Sequence, residues 1–260
     1  MPKTPRRALK DSPDGPTRGT GKPPLSGWRG GLKWFGEFLL YLLIAVIVVT
    51  LVKVFLIQPF LVPSGSMEHT LQEKDRILVW KPGEPVRGQI VVFRDDLDWL
   101  DPVQPAPAWK NLLAWLKLYP PQDEQYLVKR LIGLPGDHVT CCNTDGRLTV
   151  NGKALDESEY VFFRNSSVAQ VPFDIVVPED RFFVLGDHRD GSEDSRYHTC
   201  EAGKPTPEIA FPKIDSIQGK VVAIMMPMSR MQSFKIPAVF ADVPAPVGAP
   251  PSPETIQWTC

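Results

Sequence analysis

Ser66 lies in Pro63-Ser64-Gly65-Ser66-Met67, a few residues after a long apolar run ends at Ile57. Glycine tolerates backbone angles that other residues avoid, so this string can close a tight turn that presents a hydroxyl and a backbone N–H together. A serine hydroxyl is a poor nucleophile until a neighbouring base takes its proton. The candidate bases are His69, His138, His188, His198 and Lys129, the last inside the apolar, strand-like run Tyr126-Leu127-Val128-Lys129-Arg130-Leu131-Ile132. Burial there would disfavour the ammonium form and lower its pKa, and a neutral amine can accept the serine proton. A third cluster, Leu185-Gly186-Asp187-His188-Arg189-Asp190-Gly191-Ser192-Glu193-Asp194-Ser195-Arg196, crowds acids, bases and hydroxyls into one loop after an apolar stretch. Asp and Arg pairs can fix such a loop and leave a hydroxyl to orient a base. Each cluster also has a plain reading. Pro-Ser-Gly-Ser is common linker composition, a strand lysine commonly faces water, and a charged loop is commonly a solvated turn.

These residues need elements to bring them together. The chain has 260 residues, 43% of them hydrophobic, enough for one sizeable domain with appendages. Its formal net charge of −1 hides an asymmetry. Residues 1–33 carry eight basic side chains (Lys3, Arg6, Arg7, Lys10, Arg18, Lys22, Arg29, Lys33) against Asp11 and Asp14, and their Pro- and Gly-rich composition reads as disordered. Nothing after this tail is basic enough to suggest nucleic acid, and the four cysteines have no metal-like spacing.

Residues 34–57 read as a membrane anchor. They include fifteen residues without a charge, 38–52, with Trp34 and Phe35 at one boundary and Lys53 placed to snorkel at the other. A buried core helix of this uniform apolarity is uncommon, and no small-x-small cleavage site follows the run, which disfavours a removed signal peptide. The positive charge ahead of the span places residues 1–33 in the cytoplasm and residue 58 onward outside, where disulfides can persist.

Residues 58–240 read as an antiparallel, mainly β domain, barrel-like, with short strands separated by Gly and Pro. Runs at 76–81 and 88–93, split by Pro82-Gly83-Glu84-Pro85, suggest a hairpin; further strands are expected at 126–132, at 147–150 before an Asn151-Gly152 turn, and at 174–177, 181–185 and 219–225. Residues 95–125 interrupt this rhythm. Within them, 108–118 places Trp109, Leu112, Leu113 and Leu116 on one helical face, suited to lidding the barrel or to lying on a membrane surface. Residues 241–260, rich in Pro and Ala without periodicity, read as a tail.

The three clusters, in this order and beside an anchor, resemble the successive signatures of the type I signal peptidases: Pro63-Ser64-Gly65-Ser66-Met67 with Thr70-Leu71, Lys129-Arg130 leading into Gly133-Leu134-Pro135-Gly136-Asp137, and Gly186-Asp187 through Asp194-Ser195-Arg196. The resemblance runs from the anchor to about Met226. It implies a membrane-bound Ser/Lys-dyad endopeptidase that releases exported preproteins from their signal peptides, cutting after small residues at the first and third positions before the bond. By that likeness Ser66 is the nucleophile, Lys129 the general base and Ser64 the oxyanion-hole hydroxyl acting with the Ser66 N–H. Ser192 aligns the lysine, Asp194 and Arg196 form a supporting ion pair, and Phe60, Val62, Met67, Leu71 and Val128 line the substrate pockets. The partners implied are preproteins and the lipid bilayer, with no metal, no nucleic acid and no cofactor.

Some features depart from the family pattern. His69 stands where many relatives have Pro, and Gln72-Glu73-Lys74 replaces a Gly-containing turn. Cys200 is extra, and we expect it to pair with Cys141 or Cys142 after export. Two other readings stay open: a triad in which His188, beside Asp187, serves Ser66, and a non-enzymatic anchored β domain that binds peptides or envelope material. The third residue after Ser66 is His69, so no Ser-x-x-Lys arrangement of the penicillin-binding kind is present.

Overall fold

A computed structural model describes residues 27–101, 125–164, 172–201 and 204–253. The chain divides into two compact units, Met1–Ile47 and Val48–Cys260. Helix α1 (Gly27–Phe55) starts several residues ahead of the expected anchor, so residues 27–33 are helical rather than irregular. Its stretch Lys33–Phe55 is long and apolar enough to cross a membrane. Its large apolar side chains are exposed. The helix stops at Phe55 because Pro59 disfavours helical geometry just ahead of it, and the chain extends into a strand.

The strands are β1 (Ile57–Leu61), β2 (Arg76–Trp80), β3 (Ile90–Arg94), β4 (Tyr126–Gly133), β5 (His138–Cys141), β6 (Thr149–Val150), β7 (Lys153–Ala154), β8 (Phe173–Val176), β9 (Phe183–Leu185), β10 (Cys200–Glu201), β11 (Lys204–Pro205), β12 (Ile217–Met226) and β13 (Gln232–Ser233). A short helix α2 (Pro207–Ala210) follows β11. The main sheet has seven strands, ordered β1-β2-β12-β3-β4-β9, with β13 pairing β12. Every pairing in it is antiparallel. Pro59 sits on β1 at the end of the order, where its missing N–H does least harm. A second sheet, β7-β6-β5-β8, closes through a turn whose Asn151 and Gly152 both have positive φ, 51° and 79°, the geometry of a tight hairpin.

The expected strands therefore form, but the expected hairpin does not. β2 and β3 are separated by β12, which pairs with both. β12 is ten residues long, so one late strand supplies partners to two early ones. The Pro82-Gly83-Glu84-Pro85 turn only joins them across it.

Three apolar clusters fill the fold. Val62, Met67, Leu71, Val128 and their neighbours lie beneath the Ser66 turn. A second cluster around Phe183 and Phe211 joins the two sheets, and a third gathers Phe93, Leu131 and Phe182. Full burial of each such side chain stabilises the fold by about 1.5–3 kcal/mol.

Two further expectations need correction. Residues 241–253 are not a loose tail: Asn151 Nδ2 donates to the Pro244 carbonyl at 2.8 Å and Glu179 N–H to the Pro251 carbonyl at 2.9 Å. A proline-rich segment has few N–H donors of its own, so it docks by offering carbonyls. Cys141 and Cys142 are joined to each other by a disulfide, so neither is left for Cys200. The 108–118 segment lies outside the described residues. Asp95, at the start of the same insertion, binds the N–H groups of Leu97, Trp99 and Leu100 through its carboxylate.

Candidate active site

Gly65–Met67 forms a single 3₁₀ turn, with the Glu68 N–H closing on the Gly65 carbonyl at 2.9 Å. Met67 and Leu71 plunge into the apolar cluster and pin this turn from below. Ser66 is buried to 9% exposure, and Ser64 Oγ lies 3.5 Å from its Oγ.

Lys129 and Arg130 are consecutive residues on β4, so their side chains leave opposite faces of the strand. Arg130 is fully paired. Its Nε and Nη2 bind the two Asp187 oxygens at 2.7 and 2.6 Å, its Nη1 binds the Gly88 carbonyl at 2.8 Å, and its guanidinium lies 4.1 Å from the centre of the Tyr160 ring. Lys129 is 2% exposed, and its Nζ donates to a neutral partner, Ser192 Oγ, at 3.0 Å. Burial lowers its pKa to about 8; Asp194 and Glu193 pull it upward and Arg196 pushes it down. About a tenth of the amine is then uncharged at pH 7, against a few ten-thousandths for an ordinary lysine.

The loop after β9 holds this arrangement. Asp194 accepts two charge-assisted bonds from Arg196, both at 2.8 Å, and one from the Gly186 N–H at 2.9 Å. Burial pushes the Asp194 carboxyl up, but Arg196, Lys129 and the Gly186 N–H outweigh it and hold the group below its usual value. Arg189 Nε grips the Gly186 carbonyl at 3.0 Å while its Nη atoms bind Glu157 at 2.8 and 2.6 Å. The Gly186 peptide is thus clamped at both ends. A Cβ on Gly186 would fall 2.2 Å from Ser192 Oγ and 2.6 Å from the Ser66 carbonyl. Those contacts place the Ser66 turn and the lysine's hydroxyl partner against the same bare glycine, and the turn also packs against β4.

Ser64, Ser66, Lys129, Ser192, Asp194 and Arg196, named from the sequence, are therefore assembled in one place by the fold. The proposed pocket residues Val62, Met67, Leu71 and Val128 share one apolar cluster, with Phe60 packed against it. His188 is turned elsewhere: its Nδ1 faces the Gly65 carbonyl at 3.1 Å and Glu68 at 3.2 Å, and its Nε2 faces Asp190 at 3.2 Å. Its nitrogens are thus directed at groups other than the Ser66 hydroxyl. The sequence reading leaves three residues without a task. Gly186 and Thr70 stand within the signature motifs but are given no role, and Glu157, the distant partner of Arg189, carries no signal; Thr70 Oγ1 donates to Asp187 at 2.6 Å. Among the described residues no group of His, Cys, Asp and Glu is arranged to hold a metal ion.

The chain is 32% identical over 220 residues to a signal peptidase I of Mycobacterium tuberculosis, covering 75% of this chain and 73% of that one. It is 34% identical over 170 residues to a signal peptidase I of Bacillus licheniformis, covering 62% and 77%. A crystal structure of a signal peptidase I from Enterococcus faecalis V583 is similar over 53% of this chain and 97% of that one, at 27% identity and a TM-score of 0.32. Residues 35–226 match the family described as "Signal peptidase, peptidase S26", and the chain belongs to that family.

Proposed function

We propose that this chain is a membrane-anchored serine endopeptidase that removes N-terminal signal peptides from exported preproteins, with Ser66 as nucleophile and neutral Lys129 as general base. The observation that carries the reading is a buried lysine with a pKa near 8, bonded to a hydroxyl rather than a carboxylate and held beside the Ser66 turn by Gly186. Ser66 Oγ attacks the scissile carbonyl and its proton passes to Lys129 Nζ. The Ser66 N–H and the Ser64 hydroxyl receive the negative charge that builds on the carbonyl oxygen. When the C–N bond breaks, the lysine ammonium gives its proton to the leaving amine, the new N-terminus of the mature protein, and an ester to Ser66 remains. Water, deprotonated by the same amine, attacks that ester and releases the signal peptide's carboxylate, and the proton returns to Ser66.

Ser192 keeps the amine aimed, and Asp194 with Arg196 keeps Ser192 in place. Phe60, Val62, Met67, Leu71 and Val128 form a floor already close-packed, which leaves shallow pockets suited to small side chains at the first and third positions before the cut. The helix Gly27–Phe55 anchors the chain in the plasma membrane as a single span. The eight basic residues ahead of it hold the N-terminus in the cytoplasm, with the catalytic domain outside. Tethering enzyme and substrate to one surface raises their effective concentration.

Cleavage of a model preprotein in detergent tests the reading, with the cut site read by mass spectrometry. Wild type should cut after a small residue, while Ser66→Ala and Lys129→Ala should lose about 10⁴-fold or more of kcat. Undiminished cleavage by either variant refutes the dyad.

A further inference from the structure

His188 spans the nucleophile turn from two directions. Its backbone N–H donates to the Ser66 carbonyl at 3.1 Å, and its ring Nδ1 lies 3.1 Å from the Gly65 carbonyl. A carbonyl oxygen only accepts, so Nδ1 carries the hydrogen in that bond. The chain builds a slot for the ring: the side chain is 6% exposed, Phe162 tilts against it at 5.1 Å, and a Cβ on Gly191 would collide with it at 2.5 Å. Three charged groups surround it. Glu68, from the residue after the turn, and Asp190, from its own loop, each lie 3.2 Å from a ring nitrogen, and Arg164 binds the same Glu68 oxygen at 2.5 Å.

The Gly65 carbonyl and the Ser66 N–H belong to one planar trans peptide, so fixing one end fixes the direction of the other. In the opening of a 3₁₀ turn such an N–H has no partner within the turn and is available to a substrate. Donors held in place before the reaction, aimed at where charge will develop, contribute strongly to acyl transfer. We propose that His188 is the positioning residue for the oxyanion donor: its Nδ1–H holds the Gly65 carbonyl, and thereby keeps the Ser66 N–H of the same peptide directed at the reacting oxygen. This rests on Ser66 being the nucleophile, and it gives His188 a task distinct from that of a base.

The two ring nitrogens allow a sharp test. An asparagine amide nitrogen stands where Nδ1 does, whereas a glutamine amide reaches toward the place of Nε2. Preprotein cleavage by the full chain in detergent should find His188→Asn within about threefold of wild-type kcat. His188→Gln and His188→Ala should lose about tenfold or more of kcat with KM within about twofold. Glutamine equal to or better than asparagine, all three variants equal to wild type, or a loss confined to KM would overturn the proposal. Should His188→Ala fail to show a cooperative thermal transition, the Asn–Gln comparison decides. Ser66→Ala runs alongside. If it still cleaves, the nucleophile assignment itself fails; if it is inactive and glutamine matches asparagine, only the positioning role fails.

Discussion

The two faces of strand β4 treat a buried cation in opposite ways. On one, Arg130 is met by a carboxylate, a carbonyl and an aromatic face, so its charge is fully answered. On the other, Lys129 meets a hydroxyl, with the carboxylates of Asp194 and Glu193 acting on it only through their charge. Arg130 ties the Ser66 segment to the loop after β9 through Asp187, which also accepts from Thr70 Oγ1. Lys129 is held near the point of losing its proton. Adjacent residues thus divide the work: the paired cation holds the framework, and the underpaired one is the base we propose.

Four substitutions probe that division. The largest effect is expected from Lys129→Met, which should abolish cleavage, a loss of about 10⁴-fold or more, while the protein remains folded. It should also become more stable. The folded amine titrates near 8 and the unfolded one near 10.5. The unfolded chain therefore binds more protons between those values, stability rises with pH there, and the burial penalty is fully present below 8. Removing it at pH 7 should raise stability by about 1–3 kcal/mol, measured by thermal melts at several pH values.

Arg130→Met should do the reverse. Asp187 would be left charged, buried and unpaired, so chemical denaturation should show a loss of about 3–5 kcal/mol. Asp194→Asn comes next. It removes the group that most raises the Lys129 pKa, so the rising limb of the pH–rate profile should move toward acid even as the loop loosens and kcat falls. The smallest change is expected from Thr70→Val, about 1 kcal/mol of stability from one lost hydrogen bond to Asp187, with cleavage largely retained.

What the sequence revealed follows from what local pattern can carry. A lysine inside Leu127-Val128 and Leu131-Ile132 contradicts its surroundings, and the structure places it 2% exposed. The strands announce themselves by β-branched runs, and Asn151-Gly152 by the positive φ it needs. Partnership is a different matter. Nothing local in residues 76–94 says that β12, more than a hundred residues later, separates β2 from β3. The docking of residues 241–253 depends on donors at Asn151 and Glu179 that a proline-rich string gives no hint of. Cys200 reads as a partner by compartment and count, whereas Cys141 and Cys142 are bonded to each other. His188 reads from the sequence as an alternative base beside Asp187, whereas its ring nitrogens face the Gly65 carbonyl, Glu68 and Asp190, partners that carry no sequence signature.

The central claim is that cleavage depends on an uncharged Lys129 amine. The most direct test is the pH dependence of kcat/KM for a model preprotein, which reports the ionisation of the free enzyme's essential base. We expect the rate to climb about tenfold per pH unit on the acid side and level off above about 8, with the limb retained in His188→Asn. A limb in the ordinary histidine range that disappears in His188→Asn, or a rate that does not change across this interval, would contradict the account.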